Sequence, residues 1–263
     1  MSSFRLGLIA LSLTLAACVT EKSRNNPNIL PDEPQKADMT AAAKANTQLG
    51  LAYASQGNLE LASFKLRKAV EQDGHIAQAH AGLGYIYWKQ GDTDDAQSEY
   101  ERAISLDSDD PDIRNNYGVF LCSQRHYDDG DRNFMLAIKN RDYSTPSQAW
   151  TNAGVCARQA GDQPRSDNDF REALRIDPNF PEALQQFAND SYQQQNYQLA
   201  QSLLDRYFRV GPQTASVLLL AMRNQQALGN DDAAHNYEMK LIREFPESDE
   251  VAQLLKQRSA TSQ

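Results

Sequence analysis

Four histidines are the side chains best suited to bind a metal ion or to move a proton near neutral pH. They are scattered, at His75, His80, His126 and His235. His75 and His80 lack the spacing of the His-Glu-x-x-His zinc motif and have no third ligand beside them. The sequence also has no glycine-rich phosphate loop, no Gly-x-Ser-x-Gly elbow and no close pair of cysteine and histidine. It therefore predicts no enzyme, no cofactor and no metal site.

Carboxylates concentrate in one short stretch, Asp-Ser-Asp-Asp-Pro-Asp from Asp107 to Asp112. A calcium loop of the helix-loop-helix kind needs a central glycine and a distal bidentate glutamate, and this stretch has neither. Acidic residues directly before a run of helical periodicity are typical of a helix start, where a carboxylate accepts backbone N–H bonds. We therefore predict an N-capping turn rather than a calcium site.

Cys122 and Cys156 are 34 residues apart, a spacing at which two neighbouring repeats could be joined by a disulfide. Cys122 follows Gly118 by four residues and Cys156 follows Gly154 by two, which turns them about 200° apart on their helices. A disulfide needs close Cα atoms and converging Cβ directions. We expect two buried free thiols, with a disulfide as the alternative.

The elements that position these residues repeat along the chain. A glycine returns at Gly50, Gly84, Gly118 and Gly154, at intervals of 34, 34 and 36 residues. A bulky apolar residue moves in step with it, and an alanine follows three places later: Leu66 and Ala69, Tyr100 and Ala103, Phe134 and Ala137, Phe170 and Ala173. A fixed period of this length indicates one supersecondary unit stacked many times.

Each unit reads as a helical hairpin. In the second unit, apolar residues recur every three or four places, Gly91-Asp92 interrupts them, and the same period then resumes. Two amphipathic helices cannot bury their apolar faces alone, so each pair must lie against the next pair. Extending the period gives six units that start near residues 43, 77, 111, 147, 181 and 215, followed by a capping helix from Asp249 to Arg258.

The pattern resembles the tetratricopeptide repeat. The fourth unit carries it most completely, as Trp150, Gly154, Phe170, Ala173 and Pro178. The third unit departs from it, because Leu121 and Arg125 stand where Tyr and Gly are usual. The resemblance implies an all-α, right-handed superhelical solenoid of about six hairpins over residues 41–258, with residues 259–263 as a disordered tail.

The N-terminal residues predict export and a lipid anchor. Residues 6–17 form an apolar run behind Arg5, too short to span a bilayer and of the length of a secretory signal core. Leu15-Ala16-Ala17-Cys18 resembles a bacterial lipobox, which implies a signal peptide over residues 1–17 and acylation of Cys18. By resemblance to lipoprotein sorting, Val19 after that cysteine implies the outer membrane, on its periplasmic side. An ordinary signal peptide is the alternative. Residues 18–40, rich in Asn and Pro, predict a flexible tether.

The charge of the chain narrows the choice of partners. There are 26 Lys and Arg against 35 Asp and Glu, a formal net charge of −9. Such a protein repels nucleic acid and is poorly suited to bind anionic lipid surfaces. We therefore expect a protein partner, no nucleic acid, and a membrane contact through the lipid alone.

The tetratricopeptide resemblance also implies a binding surface. In that family the first helices line a concave groove, which residues one, four and five places after the repeat glycine, or two and three before it, tend to face. Two amides in this set, Asn116 and Asn152, are predicted to bind the backbone of an extended peptide with both of their polar groups. Tyr85 and Trp88 serve either as anchors for a peptide or as packing between repeats. Lys89 and Arg158 are the only candidate cations. The predicted groove residues are Leu51, Tyr85, Trp88, Asn115, Asn116, Val119, Cys122, Thr151, Asn152, Val155, Arg158, Asn189 and Tyr192.

The whole chain resembles one narrower group, the type IV pilus biogenesis and stability lipoproteins. The resemblance lies in the lipobox, the tether, six repeats, and the stretch Asn-Asn-Tyr-Gly-Val-Phe-Leu-Cys at 115–122 followed by Tyr127-Asp128. It implies a pilotin, which binds the secretin subunit and promotes its outer-membrane localisation and multimerisation. The alternative is a periplasmic scaffold that recruits peptidoglycan hydrolases or other envelope enzymes. The partner, the binding face and the oligomeric state stay open.

Overall fold

The computed structural model describes the backbone of residues 33–261 and the side chains of residues 36–257. Contacts divide the chain into two units, Met1–Asp38 and Met39–Gln263. Of the first unit, the described part is residues 33–38, which begin helix α1. The signal peptide over residues 1–17 and the acylated Cys18 lie outside the described residues.

Thirteen α-helices and no strand make up residues 33–261, so the expected all-α class is confirmed. The helices are α1 (Glu33–Ser55), α2 (Leu59–Gln72), α3 (Ala77–Gln90), α4 (Thr93–Leu106), α5 (Pro111–Ser123), α6 (Tyr127–Lys139), α7 (Pro146–Ala160), α8 (Gln163–Ile176), α9 (Pro181–Gln193), α10 (Tyr197–Val210), α11 (Ala215–Ala227), α12 (Asp231–Glu244) and α13 (Asp249–Thr261). No helix in residues 33–261 is long and apolar enough to cross a lipid bilayer.

The helices stack as antiparallel pairs. From α3 to α12, each odd-numbered helix packs against the even-numbered helix that follows it. The odd-numbered helices α3, α5, α7, α9 and α11 also contact one another in order, so they lie side by side. Each even-numbered helix from α2 to α10 contacts the first helix of the next pair. One surface of the stack is therefore lined by first helices.

The repeated glycines let a ring from the second helix of each pair reach the backbone of the first. A Cβ added to Gly118 would lie 2.7 Å from Cε1 of Phe134, and one added to Gly154 would lie 2.8 Å from Cε1 of Phe170. Both phenylalanines are fully buried. A side chain at either glycine would push the two helices apart, which explains why glycine recurs at this position of the repeat.

The turns inside the pairs use left-handed backbone. Gly91 and Gly161 adopt φ values of 91° and 84° at the ends of α3 and α7. In the third and fifth pairs, Arg125 and Gln195 occupy this position with φ of 65° and 61°. For an L-residue with a Cβ, this conformation costs roughly 1–2 kcal/mol. Arg125, which stands where glycine is usual, therefore carries local backbone strain.

The two ends of the helical stack differ from the expectations. Helix α1 begins at Glu33, inside the segment 18–40 expected to be a tether. Pro34 lies in its first turn, where proline is tolerated, and residues 35–49 contain neither Gly nor Pro to end the helix. Helix α13 continues to Thr261, into the segment 259–263 expected to be disordered. Composition alone placed both helix ends too close to the centre of the chain.

Candidate functional site

Side chains from α3, α5, α6 and α7 enclose a pocket of about 160 Å³ on the surface lined by first helices. Predicted groove residues from three successive pairs lie together in its lining: Trp88, Val119, Cys122, Asn152 and Val155. Ser123, Phe134, Cys156 and Gln159 complete that lining. The pocket has both apolar walls and polar groups, the combination typical of small binding sites in proteins.

Trp88 forms the α3 side of this pocket. Its ring meets Phe120 edge-on at a centroid distance of 6.2 Å and meets Tyr85 at the same distance with an interplanar angle of 76°. The indole is nevertheless only partly buried, and it lines the pocket. The two interpretations of this residue therefore combine, because Trp88 both packs between repeats and presents a surface to the pocket.

Lys89 lies beside this aromatic pair. Its ammonium Nζ is 4.6 Å from the centroid of the Trp88 ring and 5.4 Å from that of Tyr85. A cation above an aromatic face is attracted by the negative potential of the ring. Lys89 is exposed, so its charge is held beside Trp88, outside the pocket lining, and remains open to solvent.

Cys122 and Cys156 form a disulfide, so the expectation of two free thiols is wrong. Their Cα atoms are 5.7 Å apart, within the range that a disulfide requires. Helices α5 and α7 are neighbours in the stack, and neighbours touch through opposite faces. A rotation of about 200° between the two positions is close to the half turn that makes side chains from neighbouring helices converge. The bond crosses from the third pair to the fourth and forms part of the pocket wall.

The amide of Asn152 takes part in hydrogen bonds within the protein. Its Nδ2 donates to Oδ1 of Asn115 at 3.0 Å, and its Oδ1 accepts from Nε2 of Gln148 at 3.1 Å. Asn115 is buried, whereas Asn116 is exposed. The two amides predicted to bind a peptide backbone therefore differ in their surroundings, because both polar groups of Asn152 already take part in internal hydrogen bonds. The Asn152 amide links α5 to α7 and keeps one N–H for a ligand, whereas the Asn116 amide faces solvent.

Arg158 likewise forms polar contacts within the protein. Its Nη2 donates to Oε1 of Gln186 at 3.0 Å, and its Nη1 lies 3.9 Å from Oδ1 of Asp190. The Asp190 carboxylate is almost fully buried and also accepts from Gln163 and Ser166. Arg158 therefore serves first as the counter-ion of a buried carboxylate between α7 and α9.

Four other predicted groove residues lie outside the pocket lining. Leu51 is exposed and lines a separate cavity of about 460 Å³ near the start of the stack. Thr151 is buried and donates to the carbonyl of Ser147, so it belongs to the interior of α7. Asn189 and Tyr192 are partly buried on α9, where the Tyr192 ring packs against Tyr197 at 5.6 Å. The structure therefore concentrates the predicted set in pairs two to four.

Apart from the core residue Phe134 and the disulfide-bonded Cys156, two pocket residues were not among the predicted groove residues: Ser123 and Gln159. They stand five places after Gly118 and Gly154, the same position that Lys89 occupies after Gly84. The signal that could have found them is therefore the repeat alignment itself. Their side chains are small or uncharged, so a selection of groove residues by side-chain type did not identify them.

The acidic stretch forms the predicted capping turn. Oδ1 of Asp110 accepts from the backbone N–H groups of Asp112 and Ile113 at 2.9 and 3.0 Å, at the start of α5. Oδ1 of Asp107 accepts from Asp109 and Asp110. The carboxylates thus satisfy the first donors of the helix. Within the described residues, no group of three or more His, Cys, Asp or Glu is placed to hold a metal ion.

A buried carboxylate lies between α6 and α8, outside the pocket lining. Asp169 is almost fully buried, and burial raises its pKa to about 6, although the Arg165 guanidinium 3.6 Å away lowers it again in part. Arg165 also pairs with Asp131 of α6. The ion pair between Arg165 and Asp131 joins two successive pairs.

Comparisons with known proteins identify relatives of this chain in sequence and in fold. Models described as tetratricopeptide repeat match residues 47–111, 82–130 and 147–180. The type IV pilus assembly protein PilF of Pseudomonas aeruginosa is 30% identical over 240 residues, which cover 90% of this chain and 92% of PilF.

Solved structures agree with these matches. The structure of Pseudomonas aeruginosa PilF, 30% identical, superposes with a TM-score of 0.70 over 84% of this chain and 99% of that one. The structure of PilW, described as a widely conserved type IV pilus biogenesis factor, is 29% identical, with a TM-score of 0.73 over 81% of this chain and 98% of that one. A tetratricopeptide repeat protein of Parabacteroides merdae, 16% identical with a TM-score of 0.62, shares the fold alone.

Proposed function

Because this chain belongs to the tetratricopeptide repeat family of type IV pilus biogenesis proteins that includes PilF and PilW, we propose that it acts in type IV pilus assembly as a pilotin. In this role it is an adaptor anchored to the outer membrane and facing the periplasm. It binds the secretin subunit and promotes the localisation and multimerisation of that subunit in the outer membrane. The role requires binding and positioning, with no catalytic step.

The length of the match with PilF carries this proposal. The repeat fold by itself serves many functions, as the 16% identical Parabacteroides protein with the same fold illustrates. The match with PilF instead covers 90% of one chain and 92% of the other at 30% identity. A relation over the full length supports a shared role far better than a shared repeat does.

The groove supports a binding role. The pocket of about 160 Å³ between α3 and α7 combines an indole, two valines and a disulfide with polar groups at its edge. Pockets of this kind hold an anchoring side chain of a partner, and such anchors supply most of the affinity of an interface.

The lipobox supports the anchor. Leu15-Ala16-Ala17-Cys18 supplies the small residues and the cysteine that acylation needs, and two or more acyl chains give stable membrane attachment where one does not. Joining a groove to an anchor raises the local concentration of a captured subunit at the membrane. Such an adaptor acts by bringing the captured subunit to the membrane and holding it there.

Photo-cross-linking in living cells tests the partner. A photoreactive residue in place of Trp88 should capture the secretin, whereas the same residue in place of Met239, which is exposed on α12, should not. Capture of a peptidoglycan hydrolase at position 88 in place of the secretin would overturn the pilotin proposal in favour of an envelope scaffold.

The anchor is tested by Cys18→Ser. This variant should leave the outer membrane, appearing either in the soluble periplasmic fraction or with an uncleaved signal, while its repeats unfold at the wild-type temperature. Recovery of the variant in outer membranes at the wild-type level would contradict acylation as the anchor.

A further inference from the structure

The pocket between α3 and α7 has the size and the walls to hold one large apolar side chain. Its volume is about 160 Å³, and an apolar protein cavity of about 150 Å³ is enough to bind benzene. The indole of Trp88, Val119 and Val155 supply apolar walls. A phenyl ring or a leucine side chain entering from the groove would therefore fit between these walls.

A lysine contacts one wall of the pocket, in a chain whose net charge is −9: Lys89 lies outside the lining, with its Nζ 4.6 Å from the ring of Trp88. Lys89 makes no ion pair with a carboxylate among the described residues, and its contacts are with the rings of Trp88 and Tyr85. Arg158, the other candidate cation, is held by Asp190 and Gln186. Lys89 is therefore the cation available to a ligand whose side chain rests against Trp88.

The edge of the pocket offers hydrogen bonds to a peptide backbone. Gln159 is exposed at this edge, and Asn152 keeps one amide N–H beyond the one donated to Asn115. Carboxamides with a free donor and acceptor suit the N–H and C=O groups of an extended chain. These groups would set the direction of the bound peptide, whereas the pocket and Lys89 would select the side chains that it carries.

We infer that the occupant of this pocket is an extended peptide segment of the partner that carries a phenylalanine-sized apolar side chain next to an acidic residue. The apolar side chain fills the space between Trp88 and Val155, and the carboxylate pairs with Lys89. This inference rests on the proposed adaptor function and names the chemistry of the segment that the adaptor recognises.

Selection of peptides tests the inference. Random peptides displayed on phage are selected against the full-length protein and, in parallel, against Val155→Glu, which places a carboxylate in the pocket. Peptides enriched on the wild-type protein alone should combine an aromatic or large aliphatic residue with an adjacent Asp or Glu. Enrichment of peptides without this pair, or no enrichment over Val155→Glu, would overturn the inference.

Charge reversal supplies a sharper test. Lys89→Glu should weaken binding of a synthetic copy of the selected peptide about tenfold or more at low salt, because like charges then meet at the edge of the site. The same selection on Lys89→Glu should favour Lys or Arg next to the apolar residue. The matched control Lys139→Glu, an exposed lysine on α6, should leave the affinity unchanged. Equal losses in the two variants would reduce the effect to net charge and overturn the role of Lys89.

Copurification of the secretin, measured on the same variants, separates the two proposals. If the selected peptides behave as expected but Val155→Glu still retains the secretin, the pocket chemistry stands and the pilotin assignment of this groove fails. If the secretin is retained by the wild-type protein while no peptide shows the apolar and acidic pair, the function stands and the inferred ligand chemistry fails. Thermal unfolding confirms that each variant is folded.

Discussion

Cys122 and Cys156 join the third helix pair to the fourth, with Cα atoms 5.7 Å apart, although the two cysteines occupy different positions in the repeat. Elsewhere, neighbouring pairs are held together by packing and polar contacts alone among the described residues. The disulfide also forms part of the wall of the pocket that Trp88 and Val155 line. The covalent bond of the stack therefore lies at its candidate binding site.

Reduction of this disulfide should lower the stability of the protein. The bond closes a loop of 34 residues in the sequence, and closing a loop of this length lowers the entropy of the unfolded chain by an amount worth about 3–4 kcal/mol. Urea unfolding with and without reductant measures the effect, and alkylation verifies that the thiols are free. The variant with both cysteines replaced by serine should unfold at the urea midpoint of the reduced wild-type protein, both with and without reductant. Equal midpoints for oxidised and reduced wild-type protein would contradict the prediction.

Truncation of the rings that lie on the repeat glycines should be costly. Phe134→Ala or Phe170→Ala removes a fully buried ring and should lower the free energy of unfolding by about 3–5 kcal/mol. Leu136→Ala is the matched control, because this residue lies on the same helix as Phe134 and is 48% exposed. The control should change stability by less than about 1 kcal/mol. A similarly small effect for both phenylalanines would show that the rings do not hold the pairs together.

Glycine in place of Arg125 should stabilise the protein. Arg125 has a φ of 65°, and relief of left-handed strain should contribute about 1 kcal/mol, less the greater freedom of glycine in the unfolded chain. Gln124→Gly is the matched control, because Gln124 has a φ of −88° and gains nothing from glycine. Chemical unfolding should show an increase for the first variant and a decrease for the second. A decrease for both would mean that the Arg125 side chain stabilises the turn more than its backbone strains it.

The repeat pattern predicted the fold well because it reports on packing. The positions of Gly118 and Phe134 are repeated in the neighbouring units at a fixed period. A period of this length is compatible with few folds other than stacked helical hairpins. The disulfide was missed for a geometrical reason. The sequence indicates the angle of each cysteine on its own helix, whereas the bond depends on which faces of two neighbouring helices meet.

The candidate site was predicted only in part. Trp88 and Val155 follow from the register of the repeat, which indicates the face that a residue occupies. The role of Asn152 does not follow, because its hydrogen bonds with Asn115 and Gln148 depend on the distance between α5 and α7. Side-chain partners across two helices are set by three-dimensional packing, on which a single sequence carries no direct signal.

The stability of the protein should fall as pH rises through the pKa of Asp169. That pKa is raised from 3.8 to about 6 by burial, so between these values the folded protein holds a proton that the unfolded chain has lost. The contribution of Asp169 to stability therefore falls as pH rises from about 4 to 6. The free energy of unfolding of Asp169→Asn should lack this dependence. Relative to that of the wild-type protein, it should rise by on the order of 1–3 kcal/mol between pH 4 and pH 7.

Urea unfolding of both proteins over this pH range isolates the effect, since carboxylates that do not interact with Asp169 contribute equally to the two curves. Arg165 keeps its partner Asp131 in the variant, so no cation is left alone. A difference in stability that stays constant with pH would contradict the raised pKa of Asp169.

The two asparagines that precede repeat glycines should separate stability from binding. Asn152→Ala leaves the buried Oδ1 of Asn115 without its donor at 3.0 Å, and an unsatisfied buried polar group costs about 1–3 kcal/mol. Asn116→Ala removes an exposed amide and should change the free energy of unfolding by no more than about 0.5 kcal/mol. If the Asn116 amide binds a partner's backbone, losing it should weaken that binding by about 1 kcal/mol, roughly fivefold. Thermal unfolding and secretin copurification, measured on both variants, distinguish the two roles. Equal stability of Asn152→Ala and the wild-type protein would show that the link between α5 and α7 does not depend on this amide, and unchanged binding by Asn116→Ala would remove Asn116 from the candidate site.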